Sequence, residues 1–204
     1  MRIHLVKKAR KEHYCRKCGG VIGIGDSYRW WKHKFAARTC WHEKHGPPGS
    51  ADLTTSEKLS TCYSIVDTIG SLAGDLSMFS GPSLEQGDPG YEEALAHSKE
   101  ELIELLENTV LELEGAYDEA QDVGYEYESG ADNIEEYFGE TEQVSEMREK
   151  AYAIEEWCQE IDSARENLEE ILYTLREAEL TWESLATTSM DSCAQVEGIN
   201  EPAV

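Results

Sequence analysis

Two heptad series run through the second half of the chain. Ile103, Val110, Tyr117, Gly124, Ala131 and Phe138 recur every seven residues, and Leu106, Leu113, Ala120, Tyr127 and Ile134 recur with the same period, three places on. This a/d spacing predicts a helix that packs along one stripe against another helix. Gly139 is a natural stop, because glycine accepts the left-handed conformation at a helix end, and Thr141 can cap the next helix. Met147, Ile154, Ile161, Leu168, Leu175 and Trp182 then recur at sevens, flanked by Trp157, Ala164, Ile171, Ala178 and Leu185. The pattern predicts a coiled-coil-like antiparallel hairpin over residues 91–186, with arms of about 45 residues and about 70 Å. Gly115, Gly124 and Gly130 are expected to weaken the first arm and bend it.

Upstream, Leu53-Thr-Thr-Ser-Glu57 offers capping chemistry. Leu59, Cys62, Val66, Ile69, Ala73 and Leu76 then predict one extra helix that ends near Ser77. Gly81-Pro82 and Asp88-Pro89-Gly90 predict a loop over 80–90, so residues 51–90 read as a helix and loop linker. Residues 187–204 have no period and are expected to form a mobile tail. Residues 1–50 lack helical periodicity. There Ser27-Tyr-Arg-Trp-Trp-Lys-His-Lys34 alternates enough for a strand, Gly25-Asp26 marks a turn, and Arg2 to Val6 adds a second strand. The expected fold class is α+β, mostly α: a small β-rich module, then the extra helix and the long hairpin.

Charge divides the chain at the same place. Residues 1–50 hold 12 Lys and Arg against 3 Asp and Glu, while residues 51–204 hold 6 against 39. The first part suits phosphate or an acidic partner, and the second suits a basic partner. Within 91–186 there are 30 acids against 5 cations, about one acid per 2.3 Å of rod, against one charge per about 1.7 Å of duplex DNA. The hairpin therefore approaches nucleic acid in rod shape and charge density, although a solubilising face on a coiled coil gives the same composition. Glu135, Glu136, Glu155 and Glu156 are the acids expected to meet a basic partner. The hairpin also offers a surface for homodimerisation.

The basic module contains the chemistry. Cys15-Arg-Lys-Cys18 is a C-x-x-C pair followed by Gly19-Gly20, and Cys40 lies inside Thr-Cys-Trp-His-Glu-Lys-His. Structural zinc takes four thiolate or imidazole ligands, usually as two close pairs joined by a loop. Cys15, Cys18, Cys40 and His45 meet that pattern, so one structural Zn2+ is the expected cofactor. His42 is the alternative fourth ligand, since with Cys40 it would leave only one residue between ligands and form a tight chelate. His13 and His33 are weaker candidates. Fifty residues bury little core, so the metal should supply most of the folding free energy. A redox C-x-x-C would need a strand–helix context that is missing here, and four ligands would close the shell to catalysis.

Cations interleave with aromatics in the same module: Lys7, Lys8, Arg10, Lys11, Arg16, Lys17, Arg29, Trp30, Trp31, Lys32 and Lys34. Phosphate neutralisation plus base stacking is what nucleic acid binding requires, and a basic face over a small core is the plainer reading. No apolar run approaches the length of a membrane span. The basic start lacks a long apolar stretch, which places the expected location in the cytoplasm. No phosphate loop and no nucleophile–base constellation are evident, so a non-enzymatic protein is expected.

Several stretches carry a resemblance. Cys-Arg-Lys-Cys-Gly-Gly-Val-Ile, Gly-Asp-Ser-Tyr-Arg-Trp-Trp-Lys-His-Lys and Leu-Thr-Thr-Ser-Glu-Lys-Leu-Ser are succeeded by Gly130-Ala-Asp-Asn-Ile-Glu-Glu-Tyr-Phe-Gly139, Ser145-Glu-Met-Arg-Glu-Lys-Ala151 and Ile154-Glu-Glu-Trp157. Their order over residues 1–180 resembles a group of uncharacterised tailed-phage proteins. That resemblance implies a viral origin, a zinc-finger-like head, an acidic helical body and an infected host cell as the setting. It implies no activity. The expectation is a virus-encoded interaction protein that acts on nucleic acid or a nucleic-acid-handling complex, with a host or viral protein as partner. The alternative is an acidic DNA mimic that inhibits a host defence nuclease or polymerase.

Overall fold

The computed structural model describes residues 2–33, 36–79, 84, 87–177 and 181–204. The fold is α+β and mostly α, and the chain forms two compact units, Met1–Ser60 and Thr61–Val204.

The first unit is built from β1 (His4–Val6), β2 (His13–Tyr14), β3 (Val21–Ile22), β4 (Tyr28–Lys32) and β5 (Arg38–His42). β1, β4 and β5 form an antiparallel sheet in that order, and β2 and β3 form a separate hairpin. The register opposes Trp30 to Cys40 and Tyr28 to His42. Strand alternation puts these four on one face and Trp31 and Trp41 on the other. Ala9, Cys15, Ile22, Tyr28 and Cys40 make the small buried cluster of the first face. Trp31 and Trp41 are fully buried, with ring centroids 5.8 Å apart. A single helical turn at Glu43–His45 and the short α1 (Ser50–Leu53) complete the unit.

Four helices supply the rest: α2 (Glu57–Ser77), α3 (Tyr91–Phe138), α4 (Glu142–Glu177) and α5 (Trp182–Glu197). Ser56 caps α2 by accepting the Leu59 N–H at 3.4 Å. α3 stops at Gly139, whose φ of 72° only glycine adopts readily and whose N–H donates to Glu135 O at 2.8 Å. Thr141 Oγ1 accepts the Val144 N–H at 3.3 Å and starts α4. The two long helices form the hairpin, and their inner faces join α2 and α5 in one core around Leu102, Leu106, Leu113, Ile154, Ile161, Leu168 and Leu175.

The helices depart from the heptad reading in several ways. The arms are unequal, at 48 and 36 residues. Trp182 and Leu185, expected in the second arm, belong to α5, and Ala178 lies outside the described residues, as does most of the 80–90 loop. Residues 187–197, expected as part of a mobile tail, are helical. α5 was hidden because its inner face is partly polar: Ser189, Ser192 and Cys193 are buried beside Leu185 and Val196. Ser189 Oγ donates to Leu76 O at 2.9 Å, Ser192 Oγ to Thr188 O at 2.7 Å and the Cys193 thiol to Ala73 O at 3.4 Å. On α3, Ile103, Val110 and Tyr117 are only partly buried, while Leu102, Thr109, Ala116 and Val123 are buried, and Phe138 is exposed. A helix whose core is shared among four helices needs a wider apolar face than a two-stranded seam.

The glycines of α3 do more than loosen it. A Cβ at Gly130 would stand 2.4 Å from Met147 Cε, and one at Gly124 would stand 3.4 Å from Ile154 Cγ2. The Met147 methyl thus occupies the space beside Gly130, whereas a Cβ at Gly124 would be in ordinary contact. Gly115 is exposed and has open space where a Cβ would sit. Replacing Gly115 with Ala should therefore stabilise the bundle by about 0.5–1 kcal/mol, measured by urea unfolding, because only the helix-propensity gain remains. Leu168→Ala should cost about 2–5 kcal/mol in the same measurement, because the side chain is fully buried.

Candidate metal centre

The link between β2 and β3 is a tight knuckle, Cys15 to Gly20. Gly19 N–H donates to Cys15 O at 2.8 Å, and Cys15 N–H to Gly20 O at 2.9 Å. Gly19 sits at φ 65°, and a Cβ on Gly20 would crowd Cys18 Sγ at 3.3 Å and touch His42 Cε1 at 3.6 Å. The two glycines are thus required by the turn and by the side chains gathered against it.

β5 meets this knuckle. Cys15 and Cys40 form an isolated bridge, Arg16 N–H donates to Cys40 O at 2.9 Å, and His42 N–H donates to Cys15 Sγ at 3.4 Å. His42 comes from the end of β5 and His45 from the helical turn after it. The ligand atoms of Cys15, Cys18, His42 and His45 all lie within 4.8 Å of one another. His42 Nδ1 is 3.5 Å and His45 Nε2 is 3.3 Å from Cys18 Sγ.

These separations fit a metal. Ligands about 2.0–2.3 Å from a tetrahedral centre stand about 3.3–3.8 Å apart. His42 Nε2 lies 3.2 Å from Val21 O, so an N–H there donates to the carbonyl and leaves Nδ1 as the free ligand. Burial alone would raise the Cys15 thiol, but backbone N–H groups of His42, Cys18 and Lys17 outweigh it and bring the pKa down to about 7. The same N–H groups favour the thiolate, the form that ligates an ion. Desolvation and the nearby charges of Lys44, His42 and Lys17 lower the His45 pKa, which favours the neutral imidazole that ligates.

The ligand set differs from the expected one in one member. Cys40 is absent from the cluster, and His42 takes its place. Cys40 contributes its backbone to the knuckle, while its thiol belongs to the buried cluster, where burial pushes its pKa up. His42 shares the face of Cys40 but reaches past the core edge. The tight chelate that counted against His42 does not arise once Cys40 is unused. The matched spacing Cys15-x-x-Cys18 and His42-x-x-His45 was the available signal. His13 packs on Tyr28 at a tilt of 34°, with centroids 4.8 Å apart, and neither it nor His33 joins the cluster.

Of the residues expected to bind nucleic acid, Lys7, Lys8, Arg10, Lys11, Arg16, Lys17 and Lys32 are exposed, Arg29 is half-buried, and Lys34 lies outside the described residues. Trp31 has no exposed surface. Trp30 stacks on His4 at 4.3 Å and carries the Arg38 guanidinium 3.9 Å from its ring centre. Trp31 cannot receive a base, and the Trp30 ring is already engaged. Among the described residues, the exposed aromatic of the unit is Tyr14, a residue that no pattern in the sequence singles out.

Among the acids expected to meet a basic partner, Glu136, Glu155 and Glu156 are exposed. A hydrogen bond from Tyr152 to Glu156 is the main cause of a raised Tyr152 pKa. Glu135 is held by Arg148, which also reaches Asp132 at 3.1 Å and Glu140 at 3.4 Å. No helix of the described residues is long and apolar enough to cross a membrane. No family model, curated protein or solved structure matches the chain.

The ligand assignment has a direct test. Cys40→Ala should retain one metal per chain by elemental analysis, whereas His42→Ala should lose it. The reverse result would restore the Cys40 set.

Proposed function

We propose that this chain is a non-enzymatic binding protein whose N-terminal unit is folded around one structural Zn2+ and presents a cationic surface to nucleic acid or to a complex that handles it. The convergence of Cys15, Cys18, His42 and His45 carries the reading. Two thiolates and two imidazoles suit zinc, and four protein ligands leave no open position for substrate. The ion would supply a cross-link between the knuckle and β5, and the unit's small buried cluster makes that link the main source of its stability.

The exposed lysines and arginines suit phosphate. The burial of Trp31 and the engaged ring of Trp30 favour backbone contact over base stacking, so the binding should be salt-sensitive and indifferent to sequence. The phage-protein resemblance makes an infected cell the natural setting and a viral or host nucleoprotein the natural partner. A second reading, in which the acidic bundle occupies the nucleic-acid groove of a basic host enzyme, is favoured by one observation. The cations of the hairpin are spent inside it, which leaves outward carboxylates such as Glu136 and Glu155 uncompensated.

Two measurements separate these readings. In a gel-shift titration, the zinc-loaded full chain should bind duplex or single strands weakly at low salt and lose affinity steeply as salt rises. Replacing Lys7, Lys8, Lys11, Arg16 and Lys17 with Ala should flatten that salt slope. No binding at low salt would reject the nucleic-acid reading and leave the acidic bundle as the active surface. Removing zinc with a strong chelator should abolish near-ultraviolet dichroism from the buried Trp31–Trp41 pair and leave most far-ultraviolet helical signal in place. Retention of the tryptophan signal without metal would overturn the structural role of zinc.

A further inference from the structure

We propose that the chain associates head to tail, with the hairpin tip of one molecule docking on the zinc-bearing unit of a second copy. The tip is the segment Glu135-Glu-Tyr-Phe-Gly-Glu-Thr-Glu142. Tyr137 and Phe138 are adjacent and are 76% and 78% exposed. Single exposed apolar residues are ordinary, but two neighbouring aromatics at the apex of a hairpin make a contact feature. Aromatic anchors of this kind carry much of the free energy of protein interfaces. The tip is also rigidly held. Gly139 closes α3, Thr141 opens α4, and Arg148 ties Asp132, Glu135 and Glu140 together. Docking it therefore orders few new degrees of freedom.

The chemistry of the tip specifies its partner: an apolar patch rimmed by cations. Residues 1–50 are the basic part of this chain, and exposed apolar side chains lie there among cations, with Glu12 and Asp26 the nearby acids. Tyr14 and Val21 are directly opposed across the β2–β3 hairpin and are 76% and 51% exposed, and Ile24 is 71% exposed. Ala9 N–H donates to Asp26 O and Gly25 N–H to Ala9 O, which sets Arg10 and Lys11 beside the turn that carries Ile24. Arg16 lies on the other side of Tyr14 along the chain and is exposed. Acidic aromatic tip and basic apolar patch complement each other in both charge and hydrophobicity. The contact joins unlike surfaces, so each docked molecule keeps one free tip or one free head and the assembly can extend or close into a ring. Nucleic acid binding is not required for this contact.

Sedimentation of the zinc-loaded full chain tests it. The net charge of −24 repels copies at long range, so the measurement belongs near 0.1 M salt, where the screening length is about 10 Å. Between about 1 and 100 µM the average mass should climb from the 23.0 kDa of one chain to at least twice that, in the range of weak specific interfaces. Tyr137→Ala/Phe138→Ala should stay monomeric, and so should Lys11→Glu/Tyr14→Ala. An equimolar mixture of the two variants keeps one intact tip and one intact head, so it should form a dimer and nothing larger. A wild-type chain that stays monomeric overturns the proposal. So does a tip variant that associates like wild type, which would point to pairing along the hairpin, or a mixture that stays monomeric.

Discussion

Side chains from two stretches more than twenty residues apart must meet within a few ångströms for the first unit to close. Its sheet is three short strands, and its hairpin has two residues on each side. The apolar area in such pieces is too small to offset the entropy of ordering about sixty residues. The crossing of the Cys15 knuckle and β5 solves this locally. The bond from Arg16 N–H to Cys40 O and the bond from His42 N–H to the Cys15 sulfur pre-position the ligands before an ion arrives. That crossing holds the Arg16–Lys17 knuckle, while the loop of Lys7 to Lys11 is tied separately by Ala9 N–H to Asp26 O and Gly25 N–H to Ala9 O.

The bundle faces a different constraint: it has almost no cations with which to offset its acids. Those it has are used across helices. Arg176 pairs with Glu107, and Lys99 donates to the Arg176 carbonyl at 3.2 Å. Lys150 lies 5.8 Å over the Tyr127 ring, and Arg148 gathers the tip. Only Arg165 serves its own helix among these, through Asp162 and Glu169. Exposed pairs of this kind contribute little each, so burial holds the bundle together and the cations mark where α3 and α4 meet.

The parts of this fold that obey a simple period were legible. The capped start of α2, the Gly139 stop and the Ile154–Leu175 stripe all come from spacing and end chemistry. α5 was not legible, because serine and cysteine fill positions where a periodicity search looks for leucine. Its start was also obscured: Thr181 accepts from Ser184 N–H and Ser184 Oγ receives the Thr181 N–H, a reciprocal cap without the usual glutamate. The metal site was found to within one ligand. Local spacing named the knuckle, but Cys40 and His42 share a face of β5, and only the packed unit puts the Cys40 thiol in the buried cluster and the His42 ring beside Cys18.

The contact between Gly130 and Met147 has a consequence for the life of the protein under oxidants. The methionine methyl fills the volume that a side chain at Gly130 would occupy, beside the tip. Oxidation of that sulfur to the sulfoxide adds a polar, chiral oxygen against the face of α3 that carries Gly130. The lesion acts as a wedge next to Arg148, the residue that gathers the turn. A single peroxide event would thus loosen the apex while the far end of the bundle, held by Leu102, Leu106, Leu168 and Leu175, keeps its packing, and reductive repair of the sulfoxide would reverse it.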